Sequence, residues 1–389
     1  MAAKPDLLYI SPVIPGLTGN GLAMRAGMVL EALAGNFSIS LLVIKLYAGF
    51  DQDVPVELGR LCRRVTIIQP PAAQKPGGES LSSLASRWIG PLAAYHRTPF
   101  DVVHVFRLAT LSQARPILLN RASRAELHLD LDDIESTTHR RLAELYRSNG
   151  EMARAQFEES EARRCQTAEE EAFQQMDRIY VCSEHDQAQV ESRSRARVCV
   201  LPNAVRFPAS SPVSGVEQGF RFLFIGTLGY YPNEDAALYL CREIVPRIRQ
   251  QISCLVGFDI VGIGASQKLR AIAGEAGVTV LGPVRSVDAC YKSAAAVVVP
   301  LRAAGGTRIK ILEAFSYQRP VVSTSIGAEG LAARDEQEIL IADTPGVFAG
   351  ACLRLMTNSG LREHLSKNAF DLASRSYSLD ALRRVIAAL

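Results

Sequence analysis

The sequence predicts an α/β protein built from two doubly wound parts, each with its own parallel sheet. Its length of 389 residues exceeds one ordinary hydrophobic core and suits two domains of about 150 to 200 residues each. Short apolar runs alternate along the chain with glycine-containing loops and helical stretches, which is the order of strands joined by crossover helices. A stretch rich in Pro, Ser and Gly over 208–219 separates two such series and predicts a linker.

The first series predicts an N-terminal domain over residues 1–207. Its candidate strands are 7–10, 39–44, 65–68, 102–105, 126–131, 178–183 and 198–205. A Gly/Pro loop and a helix over about 22–33 follow the first of them. The charged segment 137–176 has a helical pattern that breaks at Ser148, Asn149 and Gly150.

The second series predicts a C-terminal domain over residues 220–373. Its candidate strands are 222–225, 259–264, 278–282, 294–301 and 319–323, and glycines follow several of them. Ligands bind such sheets at the carboxyl ends of the strands, so the loops after the strands are the candidate sites. The chain then ends in an apolar helix within 374–389.

Composition excludes several classes of function. With 48% hydrophobic and 21% charged residues the chain is typical of a soluble globular protein. The formal net charge of +3 is small, and Arg-rich stretches are interleaved with glutamates, which indicates solvated helix faces with salt bridges. We therefore expect no nucleic acid partner.

Cysteine usage and hydropathy predict a reducing compartment. The eight cysteines are scattered, with no Cys-x-x-Cys pair and no accompanying histidine cluster, so no zinc site is predicted. The N-terminus leads directly into a short apolar strand, and no run approaches the roughly 18 apolar residues of a membrane span. We expect a cytoplasmic protein, with at most peripheral contact at the inner face of the membrane.

The most informative segment is 305–315, where two glycines open a helix that we predict over 306–316. Gly305 and Gly306 allow a ligand to approach the backbone, and the following helix start offers free N–H groups to an anion. Lys310 and Glu313 are three residues apart and project from one helical face. This set suits a nucleotide diphosphate, with the cation on the phosphates and the carboxylate on sugar hydroxyls. The alternative is an ordinary amphipathic helix whose charges face solvent and whose apolar side chains pack inward (Ile309, Leu312 and Phe315).

This segment resembles the C-terminal signature of the retaining GT-B glycosyltransferases of family four, and especially a bacterial subgroup with the pattern Gly-Thr-Arg-x-Lys-x-x-Glu-Ala. The resemblance implies a GT-B fold, in which two Rossmann-like domains face each other across a cleft and the last helix packs back on the first domain. It implies that Glu313 binds the donor ribose. Three residues would lie at the pyrophosphate (Gly306, Thr307 and Arg308). Lys310, with Arg308, would stabilise the leaving diphosphate in place of a metal ion.

Two departures from the family pattern concern the donor. Many members carry a glutamate for the donor hexose at the position that Gly305 occupies here. Members also often hold the phosphates with an Arg and a Lys after the first strand of the C-terminal domain, and the segment 226–233 has neither. Because this pair is missing, we expect the phosphate contacts of the family to come from Arg308, Lys310 and Arg302 here.

The loop 16–21 resembles the glycine loop of the family's N-terminal domain. That loop lies under the diphosphate and the acceptor, so Gly19 and Gly21 are candidates for close approach to the ligand. Arg25 matches an arginine that follows the loop in the family, and the resemblance implies a role in donor binding. The alternative for Arg25 is an ordinary solvent-exposed arginine of the helix.

An acidic segment closes the strand at 126–131. Residues 130–136 resemble the subgroup's Asp-x-x-Asp-x-Asp-Ser stretch, with Glu135 in place of one aspartate. Asp133 is the first candidate for contact with the donor sugar or the acceptor hydroxyl, and Asp130 is the second. The alternative is that these carboxylates cap the following helix. Asp130 and Asp132 also spell Asp-x-Asp, but their position at a strand end does not predict a metal site.

The function implied by the resemblance is transfer of a sugar from a UDP- or GDP-sugar to an unidentified acceptor, with retention and without a metal or other cofactor. The acceptor would be a glycan, a lipid-linked sugar, a small molecule or a protein. Two alternatives stay open: a nucleotide-sugar epimerase, which would act on the donor without any acceptor, and a non-catalytic GT-B-like binding or scaffold subunit.

Overall fold

The computed structural model describes residues 3–46, 53–68, 95, 98–119, 125–209, 219–252 and 256–388. Most of the predicted linker, residues 210–218, lies outside the described residues, as does Cys254. The seven described cysteines are free thiols. Among the described residues, no helix is both long enough and apolar enough to cross a membrane.

The chain divides into two compact units. The first consists of Met1–Ile134, Arg164–Leu201 and Arg383–Leu389, and the second of Glu135–Arg163 and Pro202–Leu382. The predicted boundary counted residues 135–163 with the N-terminal domain, whereas their contacts group them with the second unit. The described part of the last helix is shared between the units, and Arg383 lies 3.4 Å from Glu31 within the first.

Seven strands of the described residues form a parallel sheet in the first unit. They are β1 (Asp6–Ser11), β2 (Ser38–Ile44), β3 (Cys62–Ile68), β4 (Val102–Phe106), β5 (Glu126–Leu131), β6 (Arg178–Val181) and β7 (Arg197–Val200). Their order is β3-β2-β1-β4-β5-β6-β7, and each neighbouring pair is parallel. The order reverses between β1 and β4, and ligands bind such sheets at the carboxyl ends of the strands beside this point.

Six helices of the described residues are interleaved with these strands. They are α1 (Gly21–Leu33), α2 (Val56–Gly59), α3 (Leu108–Leu119), α4 (Glu135–Ser148), α5 (Met152–Gln175) and α6 (Glu184–Glu191). Asn20 begins α1 by accepting a hydrogen bond from the Ala23 N–H at 3.0 Å. At Gly27 an added Cβ would lie 2.1 Å from the Gly16 carbonyl oxygen, so a glycine is needed where α1 packs against the loop 16–21.

The second unit contains a second parallel sheet, of six strands within the described residues. They are β8 (Phe220–Ile225), β9 (Val256–Val261), β10 (Thr279–Gly282), β11 (Ala296–Val299), β12 (Val321–Ser323) and β13 (Leu340–Ile341). Their order is β10-β9-β8-β11-β12-β13, so the reversal lies between β8 and β11. The prediction of an α/β protein with two parallel, doubly wound sheets is therefore confirmed.

The remaining helices of the described residues are α7 (Tyr231–Tyr239), α8 (Val245–Arg249), α9 (Gln267–Glu275), α10 (Asp288–Ser293), α11 (Ile309–Ser316), α12 (Ser325–Ala328), α13 (Pro345–Thr357), α14 (Ser359–Ser376) and α15 (Leu379–Ala388). A π-helical turn, Leu240–Ile244, joins α7 to α8. The inner strands of both sheets are mostly buried, as expected of parallel sheets covered by helices on both faces, whereas the edge strands β3 and β10 are largely exposed.

The helical hairpin of α4 and α5 contributes its first arm, its turn and the start of its second arm, residues 135–163, to the second unit. The turn lies at the predicted break, and Gly150 has a φ of 79°, which favours glycine. Arg141 of α4 binds Glu329 with two hydrogen bonds of 2.8 and 2.9 Å, and it donates a third of 2.8 Å to the Ala304 carbonyl oxygen. A bidentate Arg–carboxylate pair of this kind fixes the orientation of the helix.

Candidate functional site

The segment after β11 forms a tight loop that leads into α11. Gly306 has a φ of 62°, a left-handed conformation that a residue with a Cβ adopts at a cost. The helix begins at Ile309, three residues later than the predicted start at 306, and Arg308 precedes it with extended backbone. The apolar residues of α11 are buried, as the amphipathic interpretation requires, whereas Lys310 and Glu313 are each half-buried.

Buried hydrogen bonds hold the loop in place. The Asn203 side-chain amide donates to Thr307 Oγ1 at 2.7 Å, and both residues are buried. The Arg308 guanidinium donates to the Gly305 carbonyl oxygen, which closes the turn. These bonds hold the loop, so the backbone N–H groups at the start of α11 keep a defined direction.

Lys310 is held by neutral neighbours. Its Nζ donates to Asn233 Oδ1 at 2.7 Å and lies 4.8 Å from the centre of the Phe224 ring. Burial, together with the charge of Arg308, lowers the pKa of Lys310 to about 7. An added Cβ at Gly226 would lie 2.9 Å from Nζ, so the glycine after β8 provides the space for this ammonium group.

Glu313 also has a neutral partner. The buried Tyr291 hydroxyl lies 3.1 Å from Glu313 Oε2 and 3.2 Å from the Lys310 carbonyl oxygen. Burial raises the pKa of Glu313 to about 7, although Tyr291 and Lys310 favour its charged form. Tyr291 stacks on Tyr317 with ring centres 4.9 Å apart, which fixes the hydroxyl. Sequence reasoning missed Tyr291, because nothing local links a tyrosine of α10 to a glutamate of α11.

Arg302 takes part in an ion pair within the second unit. Its guanidinium binds Asp235 at 2.9 and 2.5 Å and donates to Asn149 Oδ1 at 3.1 Å. The resemblance named Arg302 as a further phosphate cation. Its charge is instead balanced by a buried carboxylate, so Arg308 and Lys310 are the better placed of the three cations.

In the first unit, Arg25 and Asp130 form a buried pair. Both are at most 1% exposed, and Arg25 donates to Asp130 Oδ1 at 2.5 and 3.2 Å and to the Leu201 carbonyl oxygen at 3.1 Å. Burial alone would raise the pKa of Asp130, but the Arg25 guanidinium holds that pKa below its usual range. The two predicted site residues therefore contact each other in the interior of the unit.

Aromatic and imidazole rings surround this pair. His104 stacks on Tyr9 with ring centres 5.0 Å apart, and its Nε2 lies 3.8 Å from Asp130 Oδ2. His128 and Tyr180 pack edge to face beside it, 5.4 Å apart. Burial and the charge of His104 lower the pKa of His128 to about 3, so His128 is neutral near neutral pH. The cluster is a buried core in which both histidines pack against aromatic rings.

Asp133 lies at the carboxyl end of β5 beside Arg107. The Arg107 guanidinium is 3.0 Å from Asp132 and 3.9 Å from Asp133, and the three side chains are 15 to 17% exposed. Burial raises the pKa of Asp132 to about 6. Arg107 has a φ of 69°, which is uncommon for a residue with a long side chain. Such backbone conformations occur most often at functional sites. Sequence reasoning missed Arg107, although its place directly after a parallel strand was a usable signal.

The glycine loop 16–21 follows β1, the strand beside β4. Gly19 has a φ of 108° and is exposed, and an added Cβ there would meet no atom within 4 Å. Gly21 is exposed and begins α1. Gly19 is therefore a glycine for its backbone conformation, and the space above it is open to a ligand.

The structure thus brings the predicted residues together in separate groups. The second unit assembles its group around the start of α11 (Gly306, Thr307, Arg308, Lys310 and Glu313). The first unit pairs Arg25 with Asp130 and places Asp133 beside Arg107. No group of three or more metal-ligating side chains occurs in the part of the chain that the structure describes.

Comparison with known proteins shows which solved structures share this fold. No curated protein sequence matches the chain. Solved structures with the same fold include sucrose-phosphate synthase from Thermosynechococcus elongatus, with a TM-score of 0.75, 16% identity and coverage of 99% of this chain and 98% of that one. Anabaena HepE in complex with UDP-glucose has a TM-score of 0.69 and 14% identity over 99% and 98%. The lipopolysaccharide outer core galactosyltransferase WaaB has a TM-score of 0.60 and 15% identity over 98% of each chain.

At this level of identity the likeness establishes the fold alone, which is the GT-B fold. The match to a family model covers residues 219–358, which include β8, the loop 226–233 and α11. In this part, which carries Lys310 and Glu313, the chain matches the family model described as glycosyl transferases group 1.

Proposed function

We propose that the protein is a glycosyltransferase that moves a sugar from a nucleotide-sugar donor to an acceptor hydroxyl. The donor diphosphate binds at residues 306–308 and Lys310, and the donor ribose binds at Glu313. The observation that carries the proposal is the pair of half-buried charged side chains on α11, each bonded to a neutral partner, Asn233 or Tyr291. Because the hydrogen-bond partner of each group is neutral, keeping the charge partly buried is costly, and a charged, hydroxyl-bearing ligand would compensate for that cost.

The chemistry needs positive charge on the leaving diphosphate and a fixed position for the sugar. Arg308, Lys310 and the N–H groups at the start of α11 supply the positive charge in the proposed site. The Glu313 carboxylate accepts hydrogen bonds from the two ribose hydroxyls. The match to a glycosyltransferase family model over residues 219–358 and the presence of UDP-glucose in the HepE structure support a UDP- or GDP-sugar as donor.

Retention of configuration and independence of metal are part of the proposal. Both rest on the likeness of residues 306–314 to the family-four pattern, together with the two cations beside the loop. We also propose that residues 220–373 act as the donor-binding domain and residues 1–207 as the acceptor-binding domain, with Gly19 and Gly21 as ligand-binding glycines of the latter.

The test of this function is a calorimetric screen of UDP, GDP and their sugars, without and with Mg²⁺ or Mn²⁺. We expect one nucleotide class to bind in the absence of metal, and sugar transfer or donor hydrolysis with that class. Failure of all these nucleotides to bind under either condition would exclude the donor site. Conversion of the donor sugar without any acceptor would identify an epimerase instead.

Replacing Glu313 with alanine is expected to weaken nucleotide binding by about 1.5–3 kcal/mol, because the ribose hydroxyls lose a charged acceptor. Calorimetry with the nucleotide identified in the screen measures the change. Glu363→Ala, at an exposed glutamate of α14, is the matched control and should bind like the wild type. Unchanged affinity in Glu313→Ala would remove Glu313 from the ribose site.

Replacing Asp133 with asparagine is expected to slow transfer by about 10²-fold while leaving nucleotide affinity within about twofold, if Asp133 contacts the reacting sugar or acceptor. Steady-state transfer rates and calorimetry on the same preparation separate the two effects. A transfer rate in Asp133→Asn equal to that of the wild type would instead mean that Asp133 holds Arg107 and does not contact the substrate.

A further inference from the structure

A cavity of about 560 Å³ opens in the second unit between the helical hairpin and the loop after β8. One wall is a face of α5 with Ala153, Arg154, Phe157 and Glu158. The remaining lining residues are Tyr146 of α4, with Gly229, Tyr231 and Glu234. No residue named in the donor site lies in this lining, so the cavity is separate from it.

Internal bonds make the walls of this cavity rigid. The Tyr146 and Tyr231 rings stack with centres 4.0 Å apart, and the Arg154 guanidinium lies 5.6 Å from the Tyr146 ring centre. The Asn149 amide donates to the Tyr231 hydroxyl at 2.8 Å, and that hydroxyl donates to Glu151 at 3.1 Å. A site held in this way needs little ordering when a ligand binds, which favours affinity.

The chemistry of the lining favours a neutral ligand that has both an apolar face and hydroxyl groups. Phe157 is 63% exposed, so its ring is available for stacking. Two carboxylates, Glu158 and Glu234, and one guanidinium, Arg154, leave a formal charge of −1, which disfavours a phosphate or nucleotide. Carboxylates accept hydrogen bonds from vicinal hydroxyls, and the C–H face of a pyranose ring packs on an aromatic ring.

We propose that this cavity is a saccharide-binding subsite for the acceptor, with Phe157 as the stacking surface and Glu234 as a hydroxyl acceptor. The inference rests on the proposed function, because it assigns the acceptor of the same reaction. Its connection to the donor site is the segment 226–234. Asn233 of this segment accepts the hydrogen bond of Lys310, and Gly229, Tyr231 and Glu234 line the cavity. The residues that bind the saccharide would thus be only a few positions along the chain from Asn233, the hydrogen-bond partner of Lys310.

The test is binding of the full-length protein to a printed array of several hundred neutral and charged glycans, followed by NMR titration with the best neutral glycan. We expect the wild type to retain neutral saccharides, and Phe157→Ala and Glu234→Gln each to lower the affinity at least about tenfold. Met152→Ala is the matched control, because Met152 is an equally exposed apolar residue of α5 outside the cavity lining. Thermal unfolding of each variant confirms that it is folded.

Nucleotide binding, measured on the same variants, separates this inference from the proposed function. We expect it to be unchanged in Phe157→Ala and Glu234→Gln. Retention of no glycan by the wild type, or equal retention by the wild type and Phe157→Ala, would overturn the subsite even if the donor still binds. Failure of every nucleotide to bind would overturn the proposed function. Even then, loss of saccharide binding in Phe157→Ala and Glu234→Gln alone would establish the cavity as the saccharide site.

Discussion

Replacing Lys310 with methionine is expected to lower the rate of sugar transfer by about 10²–10³-fold, because it removes a preorganised positive charge from the leaving diphosphate. Methionine has nearly the volume of lysine, so it fills the space beside Phe224 without a cavity. The measurement is the transfer rate at saturating donor, compared with the wild type. A rate within a few-fold of the wild type would mean that Lys310 does not act on the leaving group.

A loss of stability is not expected to explain the lower transfer rate of Lys310→Met. The pKa of Lys310 is about 7 in the folded protein, well below its ordinary value, so the charged form is disfavoured by folding. The folded chain therefore gains stability relative to the unfolded chain as the pH rises from about 7 towards the ordinary lysine pKa. Lys310→Met removes the cost of burying an ammonium group, so the variant's free energy of unfolding near pH 7 should be no lower than that of the wild type.

Proton uptake provides a second readout for the same variant. Near pH 8 the Lys310 amine is largely neutral in the free protein, and the phosphates of a bound nucleotide raise its pKa, so binding takes up as much as about one proton. Calorimetry in two buffers with different ionisation enthalpies measures this number. We expect the proton uptake to disappear in Lys310→Met. If Lys310 has only a structural role, the variant and the wild type should take up the same number of protons.

Replacing Arg25 with methionine is expected to destabilise the protein by about 3–5 kcal/mol, because it leaves the Asp130 carboxylate buried without its partner. Asp130 is fully buried and accepts two hydrogen bonds from Arg25, and its other oxygen lies 3.8 Å from His104. Denaturant unfolding of the wild type and the variant measures the difference.

The double variant Arg25→Met with Asp130→Leu is the control for this prediction. Because it removes both charges from the core, it should recover most of the lost stability. The alternative from the resemblance, in which Arg25 binds the donor, predicts the opposite pattern. Arg25→Met would then unfold like the wild type and would lose affinity for the nucleotide.

Local patterns were sufficient for most of the fold. Strands such as β1 and β8 are continuous apolar runs followed by glycine or proline, so their period and their ends can both be recognised in the sequence. β13 has only two residues and no pattern of its own, and it forms because it pairs with β12. The start of α11 was predicted three residues too early, because Gly306 opens a left-handed turn before the helix begins.

The candidate site divides in the same way. The spacing of Lys310 and Glu313 on one helical face is a local property, and the sequence alone determined it. Their neutral partners were not predictable, because Asn233 is 77 residues away from Lys310 and Tyr291 is 22 away from Glu313. A hydrogen bond between distant residues depends on how the strands are ordered in the sheet, and no local pattern records that order.

By itself, the sequence determined two parallel sheets, a glycine loop after β1, and a helix with a cation and a carboxylate on one face. Only the tertiary structure decided that Arg25 and Asp130, which are 105 residues apart, form a buried pair rather than two separate contacts for a ligand. It also decided that residues 135–163 of the hairpin pack with the second unit and line an aromatic cavity together with Gly229, Tyr231 and Glu234. The physical reason is that periodicity reports which face of an element is buried, whereas the partner that buries it is chosen by the packing of the whole chain.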